Sequence, residues 1–73
     1  MKVDQKHQQL VEMIYIASEV YKHGFHVEQC SKLVNHGDDL EKMTRTIRKL
    51  ATDTNLNVNF NHELGVCIFE LKV

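Results

Sequence analysis

The chain has 73 residues, no proline and a formal charge of −1 when its histidines are neutral. This length predicts a single domain over residues 1–73, and the 42% share of hydrophobic residues is too high for a disordered segment. No apolar run approaches the ~20 residues of a membrane helix and no signal-peptide pattern is visible, so we expect a cytoplasmic protein. The balanced charge argues against general attraction to nucleic acid unless the basic side chains cluster on one face.

The first predicted element is a long amphipathic helix over residues 5–23, with Asp4 as its N-cap and Gly24 as its end. Its main apolar stripe, which we expect to face the core, consists of Leu10, Met13, Ile14, Ala17, Val20 and Tyr21. Beside that stripe, further residues widen the apolar surface, namely Val11, Tyr15 and Ile16. So broad a surface fits either a helix buried on more than one side or a contact with a protein partner or a second copy in a homodimer.

Residues 25–35 allow two interpretations. Phe25 and Val27 alternate with polar neighbours, which indicates a short strand at residues 25–27. Residues 28–35 then fit a short second helix, because their apolar side chains recur at helical spacing. The alternative is one longer strand over the same residues. The segment closes with a predicted turn at Asn35, His36 and Gly37.

The clearest helix signal lies at residues 38–53. Asp38 is its predicted N-cap, and Glu41 three residues later completes a capping box. The apolar positions recur at the three-and-four spacing of a buried stripe and are Leu40, Met43, Ile47, Leu50 and Ala51. The opposite face combines basic and hydroxyl side chains, which are Lys42, Thr44, Arg45, Thr46, Arg48 and Lys49. Basic groups therefore do cluster in part on one helix face.

The last predicted element is a β-hairpin. Residues 56–61 alternate between apolar side chains and asparagines, which is typical of a half-buried strand. Residues 62–65 form the turn, where Gly65 supplies a permissive backbone, and residues 66–73 form the second strand. A lone hairpin is marginally stable, so we expect the strand at residues 25–27 to join it. The predicted fold class is α+β, with three helices followed by a C-terminal β-hairpin.

This order of elements resembles the winged helix-turn-helix family. The segments that carry the resemblance are residues 27–34 as second helix, 35–38 as turn, 40–51 as recognition helix and 56–73 as wing. The resemblance implies a small DNA-binding protein, a transcriptional regulator, that inserts helix 38–53 into the major groove of double-stranded DNA. Contacts to phosphates and base edges would come from Lys42, Thr44, Arg45, Thr46, Arg48 and Lys49.

A second hypothesis belongs to a different functional class. It is a small non-enzymatic protein-interaction module, an inhibitor or adaptor of the kind that phages and mobile elements encode. Such a module would use the apolar flank of helix 5–23, with Val11, Tyr15 and Ile16, or the edge of the hairpin. The weak net charge and the acidic Glu63 at the hairpin tip favour this hypothesis. Acidic residues that would repel phosphate also stand at the start of helix 38–53, namely Asp38, Asp39 and Glu41.

No pattern in the sequence indicates an enzyme, a cofactor or a small-molecule substrate. The scattered glycines make no phosphate-binding loop, and Cys30 and Cys67 fall on predicted core positions, where a thiol is inert. We expect these cysteines to be buried thiols rather than a disulfide. His23, His26 and Cys30 have ligand-like spacing, but a zinc site takes about four ligands, and Cys67 or His36 would have to complete it. We therefore predict no bound metal.

Overall fold

A computed structural model shows two α-helices packed against one face of a three-stranded antiparallel sheet. The structure describes residues 5–34 and 37–72, with side chains from His7 onward. Its elements in chain order are α1 (Gln5–His23), β1 (Phe25–Gln29), a 3-10 turn (Cys30–Lys32), α2 (Leu40–Asp53), β2 (Leu56–Asn61) and β3 (Val66–Leu71). The α+β class and the bounds of the first helix are confirmed.

Strand β3 is the centre of the sheet, with β1 on one side and β2 on the other. Both pairings are antiparallel, and Cys67 of β3 lies opposite Glu28 of β1 and Phe60 of β2. Paired residues share a face of the sheet, and burial of Cys67 and Glu28 identifies this face as the one on which the helices pack. The predicted hairpin is confirmed, but its second strand ends at Leu71, before the predicted end, and residue 73 lies outside the described residues. The predicted strand at residues 25–27 is confirmed as well and extends to Gln29.

The predicted second helix at residues 28–35 is wrong. Strand β1 continues through Gln29, and Cys30–Lys32 forms only a single 3-10 turn. The backbone pairs with β3 instead, and the last pair of the ladder is Gln29 with Val66. Beyond that pair, the Cys30 amide donates to the Gly65 carbonyl at 3.0 Å. A helix this short has little stability of its own, so cross-strand pairing prevails. The described residues contain two α-helices rather than three, and no helix-turn-helix pair.

The connection from α1 to β1 is a single glycine. Gly24 takes a φ of +89°, and its amide donates to the Val20 carbonyl at 2.7 Å, so the helix ends where the sequence predicts. The predicted N-cap Asp4 lies outside the described residues, as do Asn35 and His36 of the predicted turn.

Helix α2 begins later than predicted. Asp39 rather than Asp38 caps it, and the Asp39 Oδ1 accepts from the Lys42 amide at 2.8 Å. Asp38 lies 3.5 Å from the Lys42 Nζ instead. The predicted capping box of Asp38 and Glu41 is therefore wrong, and Glu41 pairs with Arg45. Adjacent aspartates are equivalent caps by residue type, so the sequence alone cannot separate them.

The core lies between the helices and the inner face of the sheet. Helix α1 contributes a stripe of Met13, Ile16 and Val20, and Gln9 continues it by donating from Nε2 to the Leu33 carbonyl at 2.8 Å. The prediction that Ile16 lies on a partner surface is wrong, because this side chain is fully buried. Among the described residues, the buried hydrophobic side chains of this core are Met13, Ile16, Val20, Cys30, Leu33, Val34, Ile47, Ala51, Leu56, Cys67 and Phe69.

Part of the predicted core face of α1 is wrong. Leu10, Ile14 and Tyr21 are 58%, 61% and 68% exposed. They lie on a stripe beside the buried one, and both stripes have three-and-four spacing. Periodicity therefore cannot decide which of the two faces the sheet. Leu40 of α2, also predicted to face inward, is exposed at the first turn of its helix.

One carboxylate is buried with the core. The side chain of Glu28 is 8% exposed, and its Oε2 lies 3.2 Å from the Nε2 of His26. Its Oε1 accepts from the Gln29 amide at 3.2 Å and lies 3.7 Å from the Lys32 Nζ. The Tyr15 ring meets the His26 ring edge-on, with centroids 5.4 Å apart. The buried charge therefore has partners on both oxygens, as a buried ion requires.

The cysteines are free and buried, which confirms the predicted thiols. The Cys67 Sγ lies 3.5 Å from the Glu28 carbonyl and donates to it. Burial, and then the neighbouring Cys30 thiol, raise the pKa of the Cys67 thiol from its ordinary 9.0 to about 12. Burial and the Cys30 thiol both disfavour a thiolate at this position, so Cys67 remains a neutral packing residue.

Replacing Glu28 tests the buried ion cluster. We expect Glu28→Ala to lower the free energy of unfolding by about 1–3 kcal/mol, because His26 and the Gln29 amide lose a charged acceptor. Urea unfolding followed by circular dichroism measures the change. Glu63→Ala, at an exposed turn position, is the matched control and should stay within about 0.5 kcal/mol of the wild type. Equal effects of the two substitutions would contradict the role of Glu28.

The raised pKa of Cys67 predicts how the stability of the fold depends on pH. Because the folded-state value lies above the unfolded one, this thiol contributes stability that is complete below about pH 9 and is lost as the pH rises toward about 12. We expect the urea midpoint to fall between about pH 8.5 and about pH 10.5. The urea midpoint of Cys67→Ala should fall less over this range, and the fall that remains comes from the other titrating side chains. Identical pH profiles would refute the prediction.

Candidate nucleic-acid interface

The outer face of α2 carries every residue predicted to contact DNA. Packing of Ile47 and Ala51 in the core turns this face away from the sheet. The basic side chains are exposed and the threonines are half-buried, and together they are Lys42, Arg45, Arg48, Lys49, Thr44 and Thr46. Thr44 also donates from Oγ1 to the Leu40 carbonyl at 2.9 Å, which leaves its oxygen lone pairs as acceptors.

Two of the four cations are paired with carboxylates one helical turn earlier. Arg45 Nη2 lies 3.1 Å from Glu41 Oε1, and Lys42 Nζ lies 3.5 Å from Asp38 Oδ1. The Arg45–Glu41 pair is exposed on both sides, and a pair of this type contributes only about 0.3–0.5 kcal/mol to stability, so a phosphate can displace this carboxylate at little cost. The Asp38 side chain, in contrast, is only 10% exposed. These pairs nevertheless neutralise the first turn of α2.

The middle of α2 carries the two cations that are not paired with a carboxylate in the described part of the chain. Among the described residues, Arg48 and Lys49 have no carboxylate within ion-pair distance, unlike Lys42 and Arg45. The Arg48 guanidinium instead lies over the Phe60 ring, 5.7 Å from its centroid. Arg48 and Lys49 are therefore the two cations of this face that have no carboxylate partner among the described residues.

The β2–β3 turn lies beside this face. His62 of the turn and residues of α2 border one open groove of about 580 Å³, and the α2 residues are Leu40, Glu41, Thr44, Arg45 and Arg48. The His62 and Phe60 rings are stacked, with an interplanar angle of 6° and centroids 5.7 Å apart. The sequence predicts a turn at His62 but does not indicate that this residue borders the groove. Its only sequence signal is the two-residue spacing from Phe60, which puts both side chains on one face of a strand.

The residues predicted to bind a protein partner are separated by the structure. Val11 and Tyr15 are exposed and border a cleft of about 380 Å³ with Glu12, Glu28 and Lys32, while Ile16 lies in the core. A hydrogen bond to Glu19, and then the charge of that carboxylate, raise the pKa of the Tyr15 phenol. The larger apolar surface of α1 is the stripe of Leu10, Ile14 and Tyr21.

The ligand-like spacing of His23, His26 and Cys30 does not produce a metal site in the described residues. His23 lies 3.2 Å from Glu19, and His26 lies 3.2 Å from Glu28. Within residues 5–34 and 37–72, no group of three or more His, Cys, Asp or Glu side chains could hold a metal ion.

In the same part of the chain, no helix is long and apolar enough to cross a membrane.

The fold and the site define a small α+β protein with a helix and a hairpin turn on one partly basic face. Comparison of the chain with models of known protein families, with curated proteins and with solved structures found no match.

Proposed function

We propose that the protein binds double-stranded DNA through the outer face of α2 and acts as a small transcriptional regulator. One observation carries the proposal: the strand order β1-β3-β2 brings the β2–β3 turn to that face, so that His62 borders the same groove as Arg45 and Arg48. Helix α2 and the hairpin turn correspond to the recognition helix and the wing of the sequence resemblance. The second helix on which that resemblance also depended is absent from the described residues, so the proposal is supported by α2 and the turn alone.

The charges on α2 decide how DNA would lie against it. Asp38, Asp39 and Glu41 make the first turn unfavourable for phosphate, whereas Arg48 and Lys49 lack carboxylate partners within the described residues. We therefore place the DNA backbone against Arg48 and Lys49 in the middle of α2 and against the hairpin turn. The other proposed contacts to DNA come from Lys42, Thr44, Arg45 and Thr46.

The proposal includes a cytoplasmic location and no cofactor. Free thiols such as Cys30 and Cys67 remain reduced in the cytoplasm, which supports this location. Arginine and lysine side chains contact phosphates directly, and an arginine reads guanine edges by two parallel hydrogen bonds, so no additional group is needed for DNA contact.

The second candidate function, a protein-interaction module, is favoured by the exposed stripe of α1. Leu10, Ile14, Ala17 and Tyr21 recur at intervals of four, three and four residues, which is the spacing of a helix–helix seam. In an antiparallel pair with a second copy, Leu10 would meet Tyr21 and Ile14 would meet Ala17, so large side chains oppose smaller ones. The stripe and its flanks offer on the order of 500 Å² per protomer, near the lower limit for a specific interface.

The DNA proposal is tested by fluorescence anisotropy with random duplex DNA over a salt series. We expect log affinity to fall steeply with log salt, and the slope of Arg45→Ala/Arg48→Ala to be shallower by about 1.8, since each lost phosphate contact removes about 0.9. Lys22→Ala/Lys72→Ala removes the same charge from other elements and is the control. Absence of binding at low salt would refute the proposal. Equal losses in both double variants would refute the assignment to α2.

The second candidate is tested by sedimentation over a range of protein concentrations. We expect self-association at high concentration, abolished by Ile14→Glu, because a charge in an apolar seam loses its hydration without gaining a partner. Val11→Glu lies beside the seam on the same helix and should weaken association less. Circular dichroism confirms that both variants remain helical. A wild type that stays monomeric throughout would exclude the homodimer.

A further inference from the structure

We infer that His62 is a proton-dependent phosphate contact of the same interface, so that the proposed DNA binding takes up a proton. The inference rests on the proposed function and adds a residue that the sequence resemblance does not supply. The hairpin tip carries the acidic Glu63 and no lysine or arginine, so His62 is the turn residue that can become cationic.

The position of His62 is set by Phe60. Their rings are stacked at 5.7 Å with an interplanar angle of 6°, and the Arg48 guanidinium also lies 5.7 Å from the Phe60 centroid. Phe60 is partly buried against the core, so it is a fixed base for both groups. The imidazole and the guanidinium therefore lie against one ring and line the same groove.

The charged groups that face His62 come from two elements. Helix α2 contributes Glu41, Arg45 and Arg48 to the groove, and the turn itself contributes Glu63 as the next residue in the chain. Glu41 is engaged with Arg45 at 3.1 Å. Among the described residues, His62 has no carboxylate within ion-pair distance, in contrast to His23 and His26. This set of charges leaves the imidazole open to an external anion.

The chemistry of imidazole predicts the direction in which pH changes DNA binding. A protonated imidazole donates hydrogen bonds from both nitrogens and carries a positive charge, whereas the neutral ring carries none. A phosphate in contact favours the protonated form, because an opposite charge stabilises it. Binding is therefore tighter in mildly acidic solution and includes one more phosphate contact than in alkaline solution.

The experiment measures duplex DNA binding by anisotropy over a salt series at about pH 6 and about pH 8, on either side of the range in which histidine titrates. We expect the wild-type salt slope to be steeper by about 0.9 at the lower pH, the increment of one phosphate contact. His62→Phe keeps a stacking ring on Phe60 but cannot be protonated, so its slope should be equal at both pH values. His62→Lys should give the steeper slope at both.

The control is His23→Phe, which removes a titrating imidazole from α1 and should retain the pH-dependent slope of the wild type. A pH-dependent slope that persists in His62→Phe would overturn the inference, and so would a wild-type slope that is the same at both pH values. In both cases DNA binding itself is observed, so the proposed function stands. Absence of wild-type binding at either pH would overturn the proposed function together with the inference.

Discussion

The pairing of β1 with β3 is the interaction on which the other contacts depend. It joins Glu28 to Cys67 across 39 positions of the chain and is continued by the hydrogen bond from Cys30 to Gly65. Because Gly24 is the only residue between α1 and β1, this pairing also holds α1 over the sheet. With one edge of β3 occupied by β1, β2 takes the other edge and brings its turn to α2.

Phe60 connects this framework to the candidate interface. One side of the residue belongs to the packed interior, since it is partly buried against the core cluster. Its ring also contacts Arg48 of α2 and His62 of the turn. The arrangement of the groove is therefore a consequence of core packing, and a change in the core beneath Phe60 would alter the distance between groups that lie on the surface.

The sequence predicts those elements that depend on residues near one another in the chain. The helix at residues 5–23 and the hairpin depend on neighbours in the chain, and both were predictable. Residues 28–30 depend on a strand far along the chain, whose pairing outweighs weak helical propensity. Ile14 and Ile16 have similar periodic environments, so only the sheet decides which is buried. The basic side chains of α2 could be predicted to share a face, but the place of His62 beside them requires the strand order.

The central position of β3 has a consequence for the order of events during synthesis. Strand β3 lies between the other strands, yet it is the last of the sheet strands to leave the ribosome. Until residues 66–71 have emerged, neither β1 nor β2 has its partner, and the buried stripe of α1 has no sheet to cover it. The nascent chain therefore exposes apolar surface until that point, and the sheet closes in one late step rather than growing strand by strand.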